Sequence, residues 1–171
     1  MNLNVDVVCS SFASAEALSE FMRKHIGYAS KQQRVLSTSH GCWWKTPQQT
    51  FEDGYGFCYD LAAFALHGLE LSNIACARLL FVSWGEWGCK SNAGHFVCVY
   101  QQNDGYFCID NGRLKGPFSF EQLLLVTSRN HKLKSYRWFE KHDIAYHTRY
   151  SDMTGFSDMT GFSDSTLLSG I

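Results

Sequence analysis

Three short segments hold the residue types that acyl transfer needs: a thiol, an imidazole and a carboxylate. The first is Gly56-Phe57-Cys58-Tyr59-Asp60-Leu61-Ala62, at the start of an apolar helical stretch. A cysteine in the first turn of a buried helix meets unpaired backbone N–H groups and the positive end of the helix dipole, and both favour the thiolate nucleophile. The second is Gly94-His95-Phe96-Val97-Cys98-Val99-Tyr100, where a histidine opens a strand after a loop rich in Gly and Trp. The third is Cys108-Ile109-Asp110-Asn111-Gly112, where a carboxylate ends an apolar strand at a turn. Taken singly, each has an ordinary structural reading: a cysteine at a helix start, a strand-edge histidine, a turn-forming aspartate.

Geometry joins them. Asn103-Asp104-Gly105 reads as a tight turn that makes the second and third segments an antiparallel hairpin. An even-numbered loop, either Asp104-Gly105 or Gln102 through Gly105, puts His95 and Asp110 on one face, because side chains alternate with period two. With the longer loop Val97 lies opposite Asp110 and His95 is its diagonal neighbour, at about 7–8 Å between backbones. Asp110 then fixes the tautomer of His95 and leaves its other nitrogen to take the proton of Cys58.

The elements that must position these groups follow from periodicity. Ala13 to Ile26 reads as a helix stopped by Gly27, and Tyr28 to Gly41 is polar without a period. Thr46-Pro47 opens a short helix that runs through Phe51 and ends near Gly54, with Thr46 as N-cap. The central helix starts near Phe57 and reaches at least Leu66; its apolar residues cover most of its circumference, so it is buried. Cys76 to Val82, His95 to Tyr100 and Tyr106 to Asp110 are strands, and Leu133 to Phe139 is a last one. Ser119-Phe-Glu-Gln122 has capping-box spacing and begins a helix through Val126.

The 171 residues suffice for one domain with a core, and 45% hydrophobic against 18% charged residues marks a globular chain. A net charge of -1 argues against nucleic acid as a partner, and no apolar run is long enough to span a bilayer. The first residues lack the features of a signal peptide, so a cytoplasmic protein is expected. The seven cysteines show no Cys-x-x-Cys spacing and are expected to be reduced, with Cys76, Cys98 and Cys108 as small core residues. No metal and no cofactor are expected; His131, His142 and His147 lack ligand spacing. The basic cluster of Arg129, Lys132, Lys134, Arg137 and Lys141 reads as a solvated face. The domain is expected over 1–149. Residues 150–171, where Ser-Asp-Met-Thr-Gly-Phe occurs twice in tandem, are expected to form a flexible tail.

The stretch Thr46-Pro47-Gln48 to Ala62 resembles the Gly-x-Cys-x-Asp-x-Ala signature of the transglutaminase-like superfamily. Gly94-His95-Phe96-Val97 is similar to its His strand and Ile109-Asp110 to its Asp strand, in matching order and spacing. The resemblance covers about Thr46 to Val126. It implies an α+β, papain-like fold: a buried helix carrying Cys58 packed on an antiparallel sheet carrying His95 and Asp110. It also implies a small stand-alone bacterial or phage-type member, whose substrate is a peptide or protein and whose reaction is hydrolysis of peptide or isopeptide amides. Two alternatives stay open: a transglutaminase or arylamine N-acetyltransferase-like acyltransferase, and a catalytically silent binding module on the same fold. Acyl transfer also needs oxyanion donors. The Cys58 N–H is one; Gln48, Gln49, Trp43 and Trp44 are candidates for another. Trp84, Trp87, Gln49 and Trp44 are the candidates for the substrate groove.

Overall fold

The structure, a computed structural model, describes residues 4–30, 32–33, 44–84 and 94–144. The tandem repeat, Trp43, Trp87, Cys42, Cys89 and His147 lie outside the described residues.

The chain opens with helices α1 (Val5–Cys9) and α2 (Ala15–His25), followed by the short strand β1 (Gly27–Tyr28). Ser14 caps α2 by accepting from the Ala17 N–H, which fixes its start inside the expected Ala13–Ile26 span. Helix α3 (Pro47–Asp53) has the expected start and more: Thr46 Oγ1 accepts from the Gln49 N–H, and Gln49 Oε1 accepts from the Thr46 N–H. Gly54, at a left-handed φ of 69°, closes it. Strand β2 (Tyr55–Gly56) pairs in parallel with β1, and α4 (Cys58–Leu71) follows at once. Helix α4 reaches past Leu66, as the sequence allows, and is the centre of the core. Leu61, Ala63, Phe64, Ala65, Leu66 and Leu69 are all buried, so its sides are covered all round.

One antiparallel sheet of five strands runs in the order β6-β5-β4-β3-β7. Its members are β3 (Ala77–Ser83), β4 (Gly94–Gln102), β5 (Gly105–Asp110), β6 (Arg113–Phe118) and β7 (Ser135–Phe139). Helix α5 (Phe120–Thr127), opened by the Ser119–Gln122 capping box, lies between β6 and β7 in sequence. Strand alternation sorts the core into two layers. Leu79, Phe96, Cys98, Tyr100 and Ile109 face α4, α2 and α1. Leu80, Val82, Val97, Val99 and Cys108 face Leu123 and Leu124 of α5.

The β4–β5 turn is Asn103-Asp104, both at positive φ (49° and 61°), with Gln102 paired to Gly105. The two-residue alternative Asp104-Gly105 is therefore out of register by one residue on each strand. The observed pairing, Cys98 with Ile109, continues to Val97 opposite Asp110, the same register that a loop of Gln102 through Gly105 implied. His95 thus shares a face with Val97, and Asp110 shares it with Cys108. Asn111-Gly112, at φ 48° and 79°, turns the chain back into β6, an edge strand that the sequence reading leaves out. Cys98 and Cys108 are buried as expected, but Cys76 is exposed, because it precedes β3 outside the sheet.

Candidate active site

Cys58 is the first residue of α4, so its N–H has no partner inside the helix. Asp60 holds that helix start in place. It is fully buried; Oδ2 accepts from the Phe57 N–H at 2.9 Å and Oδ1 from the Lys45 N–H at 2.9 Å. One carboxylate thereby ties the residue before Cys58 to the residue after Trp44. Burial pushes Asp60 up to about 7, with the two backbone bonds and Lys45 pulling the other way. The side chain lies so close over Gly56 that a Cβ there would meet Asp60 Cβ at 2.7 Å. The Gly-x-Cys-x-Asp spacing therefore has a steric cause: the helix can fold its N3 carboxylate back only over a glycine.

His95, 2% exposed, binds Asp110 through Nε2 at 2.7 Å from Oδ1. The Cys58 thiol interacts with the same ring. Nε2 being taken, Nδ1 is the nitrogen left for sulfur. Burial pulls His95 down, but its bonds and charge interactions with Asp110 and Cys58 outweigh that and raise it. Asp110 is the mirror case. Burial raises it, while His95 and then Lys115, whose Nζ donates to Oδ2 at 2.6 Å, hold it well below the usual carboxylate range. The turn carrying Asp110 is pinned by α2: Ser19 Oγ donates to the Gly112 carbonyl at 2.9 Å and accepts from the Leu114 N–H at 3.0 Å.

These groups open onto a cleft of about 410 Å³ at one end of the sheet. Cys58, His95 and Gly94 line it together with Tyr28, Trp84, Asn111, Arg129 and His131. Among the sequence-derived groove candidates, Trp84 lines the cleft and stacks on His131 at 4.7 Å. Gln49 does not: its carbonyl is spent in the α3 capping box. Trp44 does not line it either. It is buried between Tyr59 and Phe96, the residues that follow Cys58 and His95. Its Nε1–H nevertheless has no hydrogen-bond partner among the described residues. Gln48 is spent on the Val5 N–H and on Glu52. Arg129 corrects the reading of a uniformly solvated basic face, since its Nη2 lies 3.4 Å from His95 Nε2. No short motif marks Arg129; only the end of the capped helix α5 positions it. Among the described residues no group of three His, Cys, Asp or Glu side chains could hold a metal ion.

A cysteine heading a buried helix, facing a His–Asp pair on an antiparallel sheet, defines the transglutaminase-like class of α+β folds. The chain belongs to the transglutaminase-like domain family, whose sequence profile matches residues 5–140, a wider span than the motifs alone mark. Among solved structures it is similar to Legionella pneumophila LapG, with a TM-score of 0.53 and 15% identity over 91% of this chain and 81% of that one. A calcium-bound form of LapG matches with a TM-score of 0.51 and 12% identity, over 91% of this chain and 85% of that one. At such identities the likeness is one of fold. A search of curated protein sequences finds no match. No described helix is long and apolar enough to cross a membrane.

Proposed function

We propose that the protein is a cysteine peptidase or amidase that hydrolyses peptide or isopeptide bonds through Cys58, His95 and Asp110. The observation that carries this reading is the buried His95, bonded to Asp110 and lining one open cleft together with Cys58. Cys58 Sγ attacks the scissile carbonyl as its proton passes to His95. His95 then protonates the leaving amine as the C–N bond breaks, which leaves a thioester on Cys58. Water, deprotonated by His95, attacks that thioester; the acid leaves and the thiol is restored. Asp110 keeps the His95 ring in the required tautomer and stabilises the imidazolium. The Cys58 N–H is one oxyanion donor.

Limiting iodoacetamide near pH 6, followed by mass spectrometry, tests the nucleophile. Burial pushes Cys9 and Cys108 up to about 12 and raises Cys98 as well, so these thiols should stay unlabelled. Cys58 should react ahead of the exposed Cys76. Turnover of acyl-amide probes by wild type, absent in Cys58→Ala, completes the test. Labelling of Cys76 first, with no turnover, would favour the silent binding module.

A further inference from the structure

The cleft that holds the nucleophile carries a guanidinium and no described carboxylate in its lining. Arg129 and His131 line it, and among the described residues no acidic side chain does. Asp110 lies just behind, but both of its oxygens are occupied, by His95 and Lys115. Arg129 has no carboxylate partner among the described residues. Its contact with His95 does not satisfy it either. With Asp110 ionised, Nε2 must carry the proton that bonds Oδ1, so the approach of Nη2 at 3.4 Å sets donor against donor. The guanidinium thus stands beside the His95 ring with its donors unspent on any anion among the described residues.

The close of α5 holds it there. Arg129 and Asn130, just beyond α5, are both in the left-handed region, at φ 55° and 61°. A left-handed residue just past a helix end is an ordinary way to close it, here with the Asn130 N–H donating to the Leu125 carbonyl. Bonds from the Arg129 N–H to the Val126 carbonyl and from the His131 N–H to the Ser128 carbonyl enforce it. The turn swings Arg129 and His131 to the sheet end where Cys58 lies.

We propose that Arg129 is a specificity residue, and that the cleft takes an acyl substrate bearing a carboxylate beside the scissile carbonyl. The anion is either an Asp or Glu side chain or a free chain terminus. A planar guanidinium matches a carboxylate with paired N–H donors, and Arg129 is within the cleft but outside the His95–Asp110 pair. The proposal rests on the hydrolase reading for its substrate, though not for its anion site.

Two measurements on the full chain separate those dependences. In the first, alkylation of Cys58 by anionic iodoacetate is compared with alkylation by neutral iodoacetamide, with Cys76 as internal reference. The normalised ratio should fall at least about threefold in Arg129→Gln and in Arg129→Met and be largely kept in Arg129→Lys. A ratio that neither neutral variant changes would overturn the proposal. In the second, kcat/KM is measured on capped peptides paired as Glu or Gln next to the scissile bond, and on the same peptides ending there as free acid or amide. Wild type should prefer the acid in one pair by about tenfold, and Arg129→Gln should bring that ratio toward one. The responding pair identifies a side chain or a terminus as the source. A preference that survives Arg129→Gln would refute the assignment. An alkylation ratio that responds while no peptide is cleaved would uphold the anion site and reject the hydrolase.

Discussion

Asp110 faces two opposed demands. It is buried, which favours a neutral carboxyl, yet it must be ionised to raise His95 and hold its ring. Lys115 resolves the conflict by occupying the second oxygen. Replacing Asp110 with Asn keeps the shape and removes the charge. The expected loss in kcat/KM is about 10–10³-fold, smaller than in serine triads because a thiolate–imidazolium pair forms partly without the carboxylate. The alkaline limb of the pH–activity profile should also move to lower pH, because burial, no longer opposed by Asp110, pulls His95 down. Stability follows with a definite sign. A carboxyl held below its unfolded value stabilises the fold above that value and ceases to as pH falls through the folded one. Asp110→Asn should therefore lower the thermal midpoint at pH 7, and the gap to wild type should narrow under acid. An unshifted alkaline limb would reduce the site to Cys58 and His95. The His95–Asp110 pairing was legible in sequence because a hairpin and an even turn fix strand parity. Arg129 and Lys115 were not, since lone basic side chains have no periodicity and their partners come from other strands.

Helix α4 and the segment before it share one fastener, Asp60. The element was legible: an apolar stripe after Gly56, with an acid at N3. The fastening to Lys45 was not, because it joins residues that no local pattern links. Asp60→Asn tests it. The amide can accept from one backbone N–H but turns its own N–H₂ against the other, of Phe57 or Lys45. Turnover should fall mainly in kcat, as the Cys58 N–H, an oxyanion donor, hangs on this link, and the midpoint should drop. The pH trend is opposite to that of Asp110. Burial raises Asp60 to about 7, so the folded state binds the proton more tightly and loses stability as pH rises from about 4 to about 7. The advantage of wild type over Asp60→Asn should accordingly be greatest near pH 4 and shrink toward pH 7. Melting curves that run parallel across this range would mean that Asp60 stays ionised throughout. Strand β6 shows how an element escapes a sequence reading. Asn111-Gly112 is a strong hairpin signal, but Gly116-Pro117 inside the following run argues against a strand, and only an edge position tolerates both.

At the scale of the molecule, the sheet order cannot be read from periodicity, because β7 returns to β3 across the whole domain. That return matters more than its length suggests. Phe139 of β7 is 1% exposed, meets Phe96 at 5.5 Å, and so abuts the strand that carries His95. Ile144, the last described residue, is also buried. The family match ends at residue 140, just past β7. The fold should thus be complete near this point, and two truncations test where it closes. A chain ending at Tyr150 keeps β7, Phe139 and Ile144, and should melt cooperatively within about 4 °C of the full chain. A chain ending at Lys134 loses Phe139 from the core, at about 3–5 kcal/mol by the cost of deleting a buried phenylalanine, and bares the edge of β3. It should lose its cooperative transition or its solubility. Iodoacetamide labelling distinguishes a lost fold from a lost site. In the Tyr150 chain Cys58 should still react ahead of Cys76, while in the Lys134 chain the buried Cys9, Cys98 and Cys108 should become reactive together. Destabilisation of the Tyr150 chain by far more than 4 °C would mean that residues after 150 belong to the folded unit.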